Sequence, residues 1–431
     1  MLTLNHHAPL RGELTVPGDK SISHRAVMFG ALSKGTTIVR DILDSADVGA
    51  TLDCFGRLGV SIERTWENPQ DVIIHGAGMR GLYPSAGRVV LYTQNSGTTT
   101  RILSGILAPQ PFTSFLTGDE SVNRRPMKRV IDPLTKMGAS IVSMNQDGCA
   151  PLQIEGRALH GINWRSPVAS AQVKSAVLCA GLYADTAASF TEPALSRDHT
   201  ERMLRAFGAD VTNDGLTASV RPAHELYSPG EIKVPGDISS AAYFIAAALL
   251  VPGSDIVLHN VGTNPTRDGI IRAARAMGGN VEILNETDTA EPYADLHITA
   301  SSLHGTVIEK DMIPTLIDEL PVIAVMACAA SSVTVIRDAA ELKIKESDRI
   351  AAMTENLRAM GADITPAEDG FIIRGGKPLH GCAVKTFKDH RIAMSMAVAS
   401  LLADGETTLD DENCVAISYP SFFDDLSRLQ V

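Results

Sequence analysis

The residues of this chain that could do chemistry are cations set among hydroxyls, amides and glycine, at the starts of apolar runs. Lys20, Ser21 and Arg25 lie in PGDKSISHR, where the N–H groups opening a helix, an ammonium and a guanidinium one turn on could hold an oxyanion. Asn95 and Gly97 lie in NSGTTTR, where glycine lets a ligand approach the backbone. Arg125 follows Arg124 in RRPM, on a stretch that the next proline keeps extended. Ser170 and Gln172 punctuate SAQVKSA before an apolar run, and Ser196 opens SRDHTE. Asp318 and Glu319 precede LPVIAVMACAA, either as complements to a helix dipole or as acid–base groups. Lys345, Glu346, Asp348 and Arg349 crowd one loop, and Arg391 sits in DHRIAM. Taken singly, each pattern also fits a capped helix or a solvated charge pair. Together they predict a site for multiply charged anions, phosphate and carboxylate, with carboxylates at hand for proton transfer.

Several chemistries are argued against. Asp19 stands where a Walker loop needs glycine before the lysine, which weakens an ATPase reading. The histidines show no HExxH spacing, so no metal is expected. The six cysteines share no CxxC spacing and read as reduced, mostly buried thiols. A formal net charge of -12 disfavours a nucleic-acid or anionic-membrane surface, although a basic cleft is compatible with it. The first residues, with His6, His7 and Arg11, lack the apolar core of a signal peptide. The longest apolar run, 238–251, is shorter than the ~20 residues that span a bilayer. A cytoplasmic location is therefore expected.

A repeat must position these groups. Five segments run from a helical pattern through glycine into a strand pattern: RLGVSIE, KMGASIV, AFGADVT, AMGGNVEI and AMGADIT. Upstream of four of them an acid (Asp47, Asp198, Asp268, Asp348) marks a helix start, where it would cap free N–H groups. With weaker copies at 112–142 and 406–429 this makes six units. Their spacing, about 70–80 residues, exceeds the ~20–50 of solenoid repeats, so each is a compact α/β unit. VPGDKS (16–21) recurs as VPGDIS (234–239), and the chain is expected to cross between two three-unit domains at these turns. The domains are then 1–19 with 237–431, and 20–236.

The ordered motifs PGDKSISHR, NSGTTTR, RRPM, SAQVKSA, ALSRDHTE, IDELP, IKESDRI and DHRIAM resemble the 5-enolpyruvylshikimate-3-phosphate synthases, members of the enolpyruvyl transferases. The resemblance implies an α/β (α+β) fold of two similar domains, each of three βαβαββ units, hinged like jaws. It implies transfer of the enolpyruvyl group of phosphoenolpyruvate to the 5-hydroxyl of shikimate 3-phosphate, through a tetrahedral ketal, without metal or organic cofactor. By the same resemblance Lys20, Ser21, Arg25, Ser170, Gln172, Ser196, Asp318 and Lys345 match positions that hold shikimate 3-phosphate. Lys20, Asn95, Gly97, Arg125, Arg349 and Arg391 match positions around phosphoenolpyruvate. Asp318 matches the general base, and Glu346 or Lys20 the group that protonates C3. Gly97 at its position implies room for the inhibitor glyphosate. Ala171, Glu341 and Ser418 depart from residues common in the family, Ser, Asn and Lys respectively. Other readings are a UDP-N-acetylglucosamine enolpyruvyl transferase, an RNA 3'-phosphate cyclase-like enzyme, and an anion sensor without activity. The first would carry a cysteine on the loop at 118–127, and none is there. Anionic small molecules are the expected partners, and a monomer the expected state.

Overall fold

A computed structural model of the chain describes residues 2–4, 8–84, 87–287 and 289–430. His6 and His7 lie outside the described residues. The chain divides into two compact units, Met1–Pro17 with Pro235–Val431, and Gly18–Val234. Both boundaries fall inside the repeated VPGD turns. Each unit buries its own apolar core, one drawn from residues 22–234 and the other from 10–16 and 238–429.

Within the Gly18–Val234 unit, three sheets share one plan. Strand Arg88–Tyr92 runs parallel to Thr113–Thr117, joined by helix Gly97–Leu107. Helix Lys128–Lys136 then leads into the antiparallel strands Ser140–Ser143 and Leu152–Glu155. Asn163–Arg165, Ala188–Thr191, Val211–Asp214 and Thr217–Val220 repeat this order around helices Ala171–Gly181 and His199–Ala206. The third sheet centres on Ser33–Arg40 and takes its parallel neighbours from Leu226–Tyr227 and Glu231–Lys233. The first two are βαβαββ units in chain order, and the third has the same pairing with its first strand supplied from the end of the segment.

The other unit builds two sheets the same way. In one, Arg11–Leu14 is the parallel edge strand of Asp255–Gly262. The other joins Val307–Ile308, Val333–Ile336, Asp363–Ala367 and Gly370–Arg374. The last repeat, expected at 406–429, is reduced: Thr407–Leu409 pairs with Leu2–Leu4 and Ala383–Val384, and among the described residues no hairpin follows. Helix Ile238–Leu250 is almost wholly buried, and Tyr243 and Phe244 stack with Tyr419 and Phe422 at centroid distances of 5.6–5.8 Å. Truncating Phe244 there would cost about 3–5 kcal/mol. Among the described residues no single helix is long and apolar enough to cross a membrane.

The glycines in the five repeated segments do the same job. Gly59, Gly138, Gly208, Gly278 and Gly361 all have φ between 86° and 95°, two residues past the last residue of a helix, where a side chain would be strained. The acids expected to cap helices divide differently. Asp348 accepts from the N–H groups of Ile350 and Ala351. Asp198 and Asp268 make no such cap and instead pair with Arg202 and Arg272 one turn on. Asp47 lies inside its helix, which Ser45 caps, and its carboxylate is 3.2 Å from Lys20 Nζ. A cation within reach outcompetes the local N–H groups for these carboxylates.

Candidate active site

In the Gly18–Val234 unit the predicted residues cluster at the openings of four helices. Asp19 caps helix Lys20–Leu32 through a 2.9 Å bond from Ile22 N–H, so Lys20 and Ser21 sit in its first turn. Arg25 is buried and holds three elements together. Its Nη1 donates to Ser21 O (2.8 Å), its Nη2 to Ser175 Oγ (2.9 Å), and its Nε to Thr200 Oγ1 (2.7 Å). The helix that holds Ser21 and the helices that follow Ser170 and Ser196 are thereby tied to one guanidinium. Ser170 makes no capping bond with its side chain, and the buried Ser196 Oγ meets no hydrogen-bond partner.

Gly97 opens helix Gly97–Leu107, capped by Ser96. This helix packs on Ala171–Gly181 at Gly105, where an added Cβ would come 2.1 Å from Ala176 O. Only glycine permits that approach, and it brings Gln172 within reach of the neighbouring helix mouth. Gln172 accepts from Arg101 Nη1 at 2.7 Å and donates to Thr98 Oγ1 at 2.9 Å. Arg101 and Arg125 both border Gly97: a Cβ there would meet Arg101 Nη1 at 2.7 Å and Arg125 Nη1 at 3.2 Å. Arg125 also donates to Ser121 Oγ (3.2 Å). Asn95 Oδ1 is buried without a hydrogen-bond partner.

Lys174 was legible only as a polar interruption of an apolar helix. The structure buries it between Glu192 (2.9 Å) and Glu201 (2.8 Å). Burial alone would lower its pKa, but the two carboxylates raise it above the ordinary lysine value. Lys174 and Glu192 also grip the Ser196 backbone, at the carbonyl (3.3 Å) and the N–H (2.9 Å). Their role is to shape the Ser196 loop.

In the other unit, Asp318, Lys345, Glu346, Arg349 and Arg391 come together. Asp318 Oδ1 lies 3.3 Å from Arg349 Nη1 and 3.5 Å from Lys345 Nζ, and its Oδ2 3.8 Å from Arg391 Nη2. Arg391 Nη1 also reaches Asp318 O at 3.3 Å. Arg349 Nη2 donates to Glu346 Oε2 at 2.6 Å, and Arg349 Nε to Asp389 Oδ2 at 2.8 Å. Burial alone would lower the Arg349 pKa, yet Asp389, Glu346 and Asp318 hold it above the usual arginine range. Arg391 behaves alike: burial opposes its charge, and Asp318 leads the groups that outweigh burial. Asp389 itself is buried, which would raise its pKa, but Arg349 pulls it below the ordinary carboxylate value. Behind them Arg267 bonds Asp237 (3.2 Å) and Ser239 (2.7 Å), and Ser239 donates to Glu319.

Sequence reasoning missed the partners rather than the principals. Asp389, Glu192, Glu201, Ser175 and Thr200 act through contacts between elements distant in the chain. The available signals were the charge of Lys174 within an apolar helix and the acid directly before His390. Burial pushes the thiols of Cys54, Cys179, Cys328 and Cys414 up to about 12, so none is a ready nucleophile. Among the described residues no group of three His, Cys, Asp or Glu side chains could hold a metal ion.

A model of the family described as EPSP synthase (3-phosphoshikimate 1-carboxyvinyltransferase) matches residues 4–426. A Brevibacillus brevis protein named 3-phosphoshikimate 1-carboxyvinyltransferase is 51% identical over 430 residues, covering 100% of both chains. A Desulforamulus reducens protein of that name is 49% identical over 431 residues, covering 100% of this chain and 99% of its own. A solved EPSP synthase of Acinetobacter baumannii matches with a TM-score of 0.90 and 46% identity, over 99% of this chain and 97% of that one.

Proposed function

The chain belongs to the EPSP synthase family, and from that premise we propose that it transfers the enolpyruvyl group of phosphoenolpyruvate to the 5-hydroxyl of shikimate 3-phosphate, releasing phosphate. The observation that carries this reading at the site is the Asp318 carboxylate facing Lys345, Arg349 and Arg391. It is a base set among cations that suit an anionic substrate.

Asp318 takes the proton of the 5-hydroxyl as that oxygen bonds to C2 of phosphoenolpyruvate. Lys20 or Glu346 gives a proton to C3, and the product of this addition is a tetrahedral ketal. A methyl proton then returns to the group that gave it, the bond from C2 to the phosphate oxygen breaks as the departing phosphate takes the proton held by Asp318, and an enol ether remains. Lys20, Ser21, Arg25, Ser170, Gln172, Ser196, Asp318 and Lys345 take shikimate 3-phosphate. Lys20, Asn95, Gly97, Arg125, Arg349 and Arg391 take phosphoenolpyruvate. Fixed guanidinium groups contribute chiefly by holding the reacting atoms in place, a contribution that elsewhere reaches about 7–11 kcal/mol. All of these contacts strengthen when water is excluded.

The small-molecule substrates are anionic. A monomer in the cytoplasm, without nucleic-acid or membrane partners, fits the net charge of -12. Gly97 has no side chain to press on Arg101 and Arg125, which come close to its backbone, and this supports binding of glyphosate in competition with phosphoenolpyruvate. Phosphate release on mixing purified protein with phosphoenolpyruvate and shikimate 3-phosphate tests the activity. Turnover with UDP-N-acetylglucosamine in place of shikimate 3-phosphate would overturn it, and glyphosate titration in the same assay tests the inhibitor.

A further inference from the structure

Four buried side chains form an unbroken line of short hydrogen bonds inside the Gly18–Val234 unit. His24 Nδ1 is 2.7 Å from Thr51 Oγ1, Thr51 Oγ1 is 2.7 Å from Thr99 Oγ1, and Thr99 Oγ1 is 2.7 Å from Ser96 Oγ. All four residues are fully buried. The line starts on the helix that carries Lys20 and Arg25. It passes through the helix Ala46–Arg57, which carries Asp47, the partner of Lys20. It ends on the cap of the Gly97 helix, where Ser96 Oγ also accepts the Thr99 N–H at 3.2 Å.

A hydroxyl has one proton to donate, so such a line has a direction. If Nδ1 accepts, Thr51 donates to the ring, Thr99 to Thr51, and Ser96 to Thr99. Every hydroxyl proton then has an acceptor, and only the Nε2 proton lacks one. In the reverse sense the Ser96 proton and the Nε2 lone pair are both left over. The first sense leaves fewer buried groups unsatisfied and is favoured. It needs a neutral ring. Burial, the largest influence on the ring, together with Lys20 and Arg25 lowers the His24 pKa to about 3 against the pull of Asp47.

We infer that His24 is a positioning residue: through the Thr51–Thr99–Ser96 hydroxyl line it fixes the mouth of the Gly97 helix, and so tunes the fit of phosphoenolpyruvate in particular. The inference rests on the proposal that Gly97 and Arg125 face that substrate. Neither interior member, Thr51 or Thr99, is a substrate contact in that proposal, and Thr51 lies outside every motif. Nor do the bonds that hold Ser21 and Ser175 pass through the line, since these run from Arg25. Fit to shikimate 3-phosphate is therefore spared.

The test is Thr51→Val, which keeps the shape and removes the hydroxyl, set beside Thr51→Ser, which restores it. Thr51→Val raises the KM for phosphoenolpyruvate about tenfold, the worth of one or two hydrogen bonds. The KM for shikimate 3-phosphate stays within about twofold, and Thr51→Ser returns the first value to near that of the parent. His24→Asn, with an amide oxygen to accept at the Nδ1 position, is milder than His24→Leu. Equal rises in both KM values, or no change in a folded Thr51→Val, would overturn the inference. Should Thr51→Val not fold, equal phosphoenolpyruvate KM values for His24→Asn and His24→Leu would overturn it. Failure of the parent enzyme to release phosphate would instead reject the proposed function.

Discussion

Asp389 Oδ2 accepts from Arg349 Nε at 2.8 Å, with the Arg349 side chain 1% and the Asp389 side chain 0% exposed. The pair is the anchor on which the Asp318 cluster is mounted, since Arg349 reaches both Asp318 and Glu346 from it. Removing one member of such a pair strands the other charge. Asp389→Asn is therefore expected to lower stability by about 3–5 kcal/mol, read by urea unfolding. Phosphate release should fall with it even at temperatures where the variant stays folded.

Asp318 carries a different expectation. It is partly open, and Arg349 keeps Glu346 and Asp389 without it, although buried Arg391 loses its leading partner, so Asp318→Asn should cost less stability than Asp389→Asn in the same urea unfolding. Turnover should fall by about 10²–10⁴, the range for loss of a general base. Steady-state phosphate release beside circular dichroism separates the two effects. An undiminished rate would remove Asp318 from the proton transfer.

Gly97→Ala places a methyl group 2.7 Å from Arg101 Nη1 and 3.2 Å from Arg125 Nη1. Guanidinium groups can shift by a few tenths of an ångström, so the fold should survive. A rise of about tenfold in the phosphoenolpyruvate KM is expected, with the shikimate 3-phosphate KM much less affected. Inhibition by glyphosate should weaken at least as much, measured by titration at fixed substrate.

Lys174→Met leaves Glu192 and Glu201 buried without their shared cation. The expected loss is about 3–5 kcal/mol in urea unfolding. Adding Glu201→Gln to that variant should recover part of it, because one stranded charge is removed. A Lys174→Met protein as stable as the parent would show that the carboxylates simply take up protons at little cost.

His24 gives a pH dependence with a definite sign. Its folded value is about 3 and its ordinary value 6.5, so between those limits the unfolded chain binds a proton that the folded chain refuses. Acid therefore favours unfolding across that window, by about 1.4 kcal/mol per pH unit for one proton. His259 and His297 act in the other direction. Their values are raised, first by hydrogen bonds to Glu13 and Asp255, so they favour the folded chain below 6.5 and lose that effect as pH rises. Comparing the parent with His24→Asn in urea at pH 4 and pH 7 isolates the first contribution, and the variant should show the shallower slope.

The parts of the fold that could be read from the chain are those written in local terms. Gly59, Gly138, Gly208, Gly278 and Gly361 announce helix exits because a positive φ needs glycine wherever it occurs. The proposal that Lys20, Arg125 and Arg349 hold anions starts from the same kind of local pattern, cations beside helix openings or turns. What stayed hidden depends on which elements meet. Asp47 reads as a capping acid until the neighbouring helix brings Lys20 to it. Lys174 reads only as a polar interruption of an apolar helix until Glu192 and Glu201 arrive from elsewhere in the chain. The line from His24 to Ser96 has no signature, because serines and threonines in helices are common and only packing aligns them.

The edge strand Arg11–Leu14 finds its partner in Asp255–Leu258, so the start of the chain belongs with its last part. During synthesis this segment must stay unpaired until the whole of Gly18–Val234 has emerged. At about 5–20 residues per second that is a wait of order tens of seconds. Gly18–Val234 is contiguous and carries its own core, so it can complete itself in that interval. Birth order thus differs from residue order: the middle of the polypeptide matures first, and its two ends close the remaining sheet together.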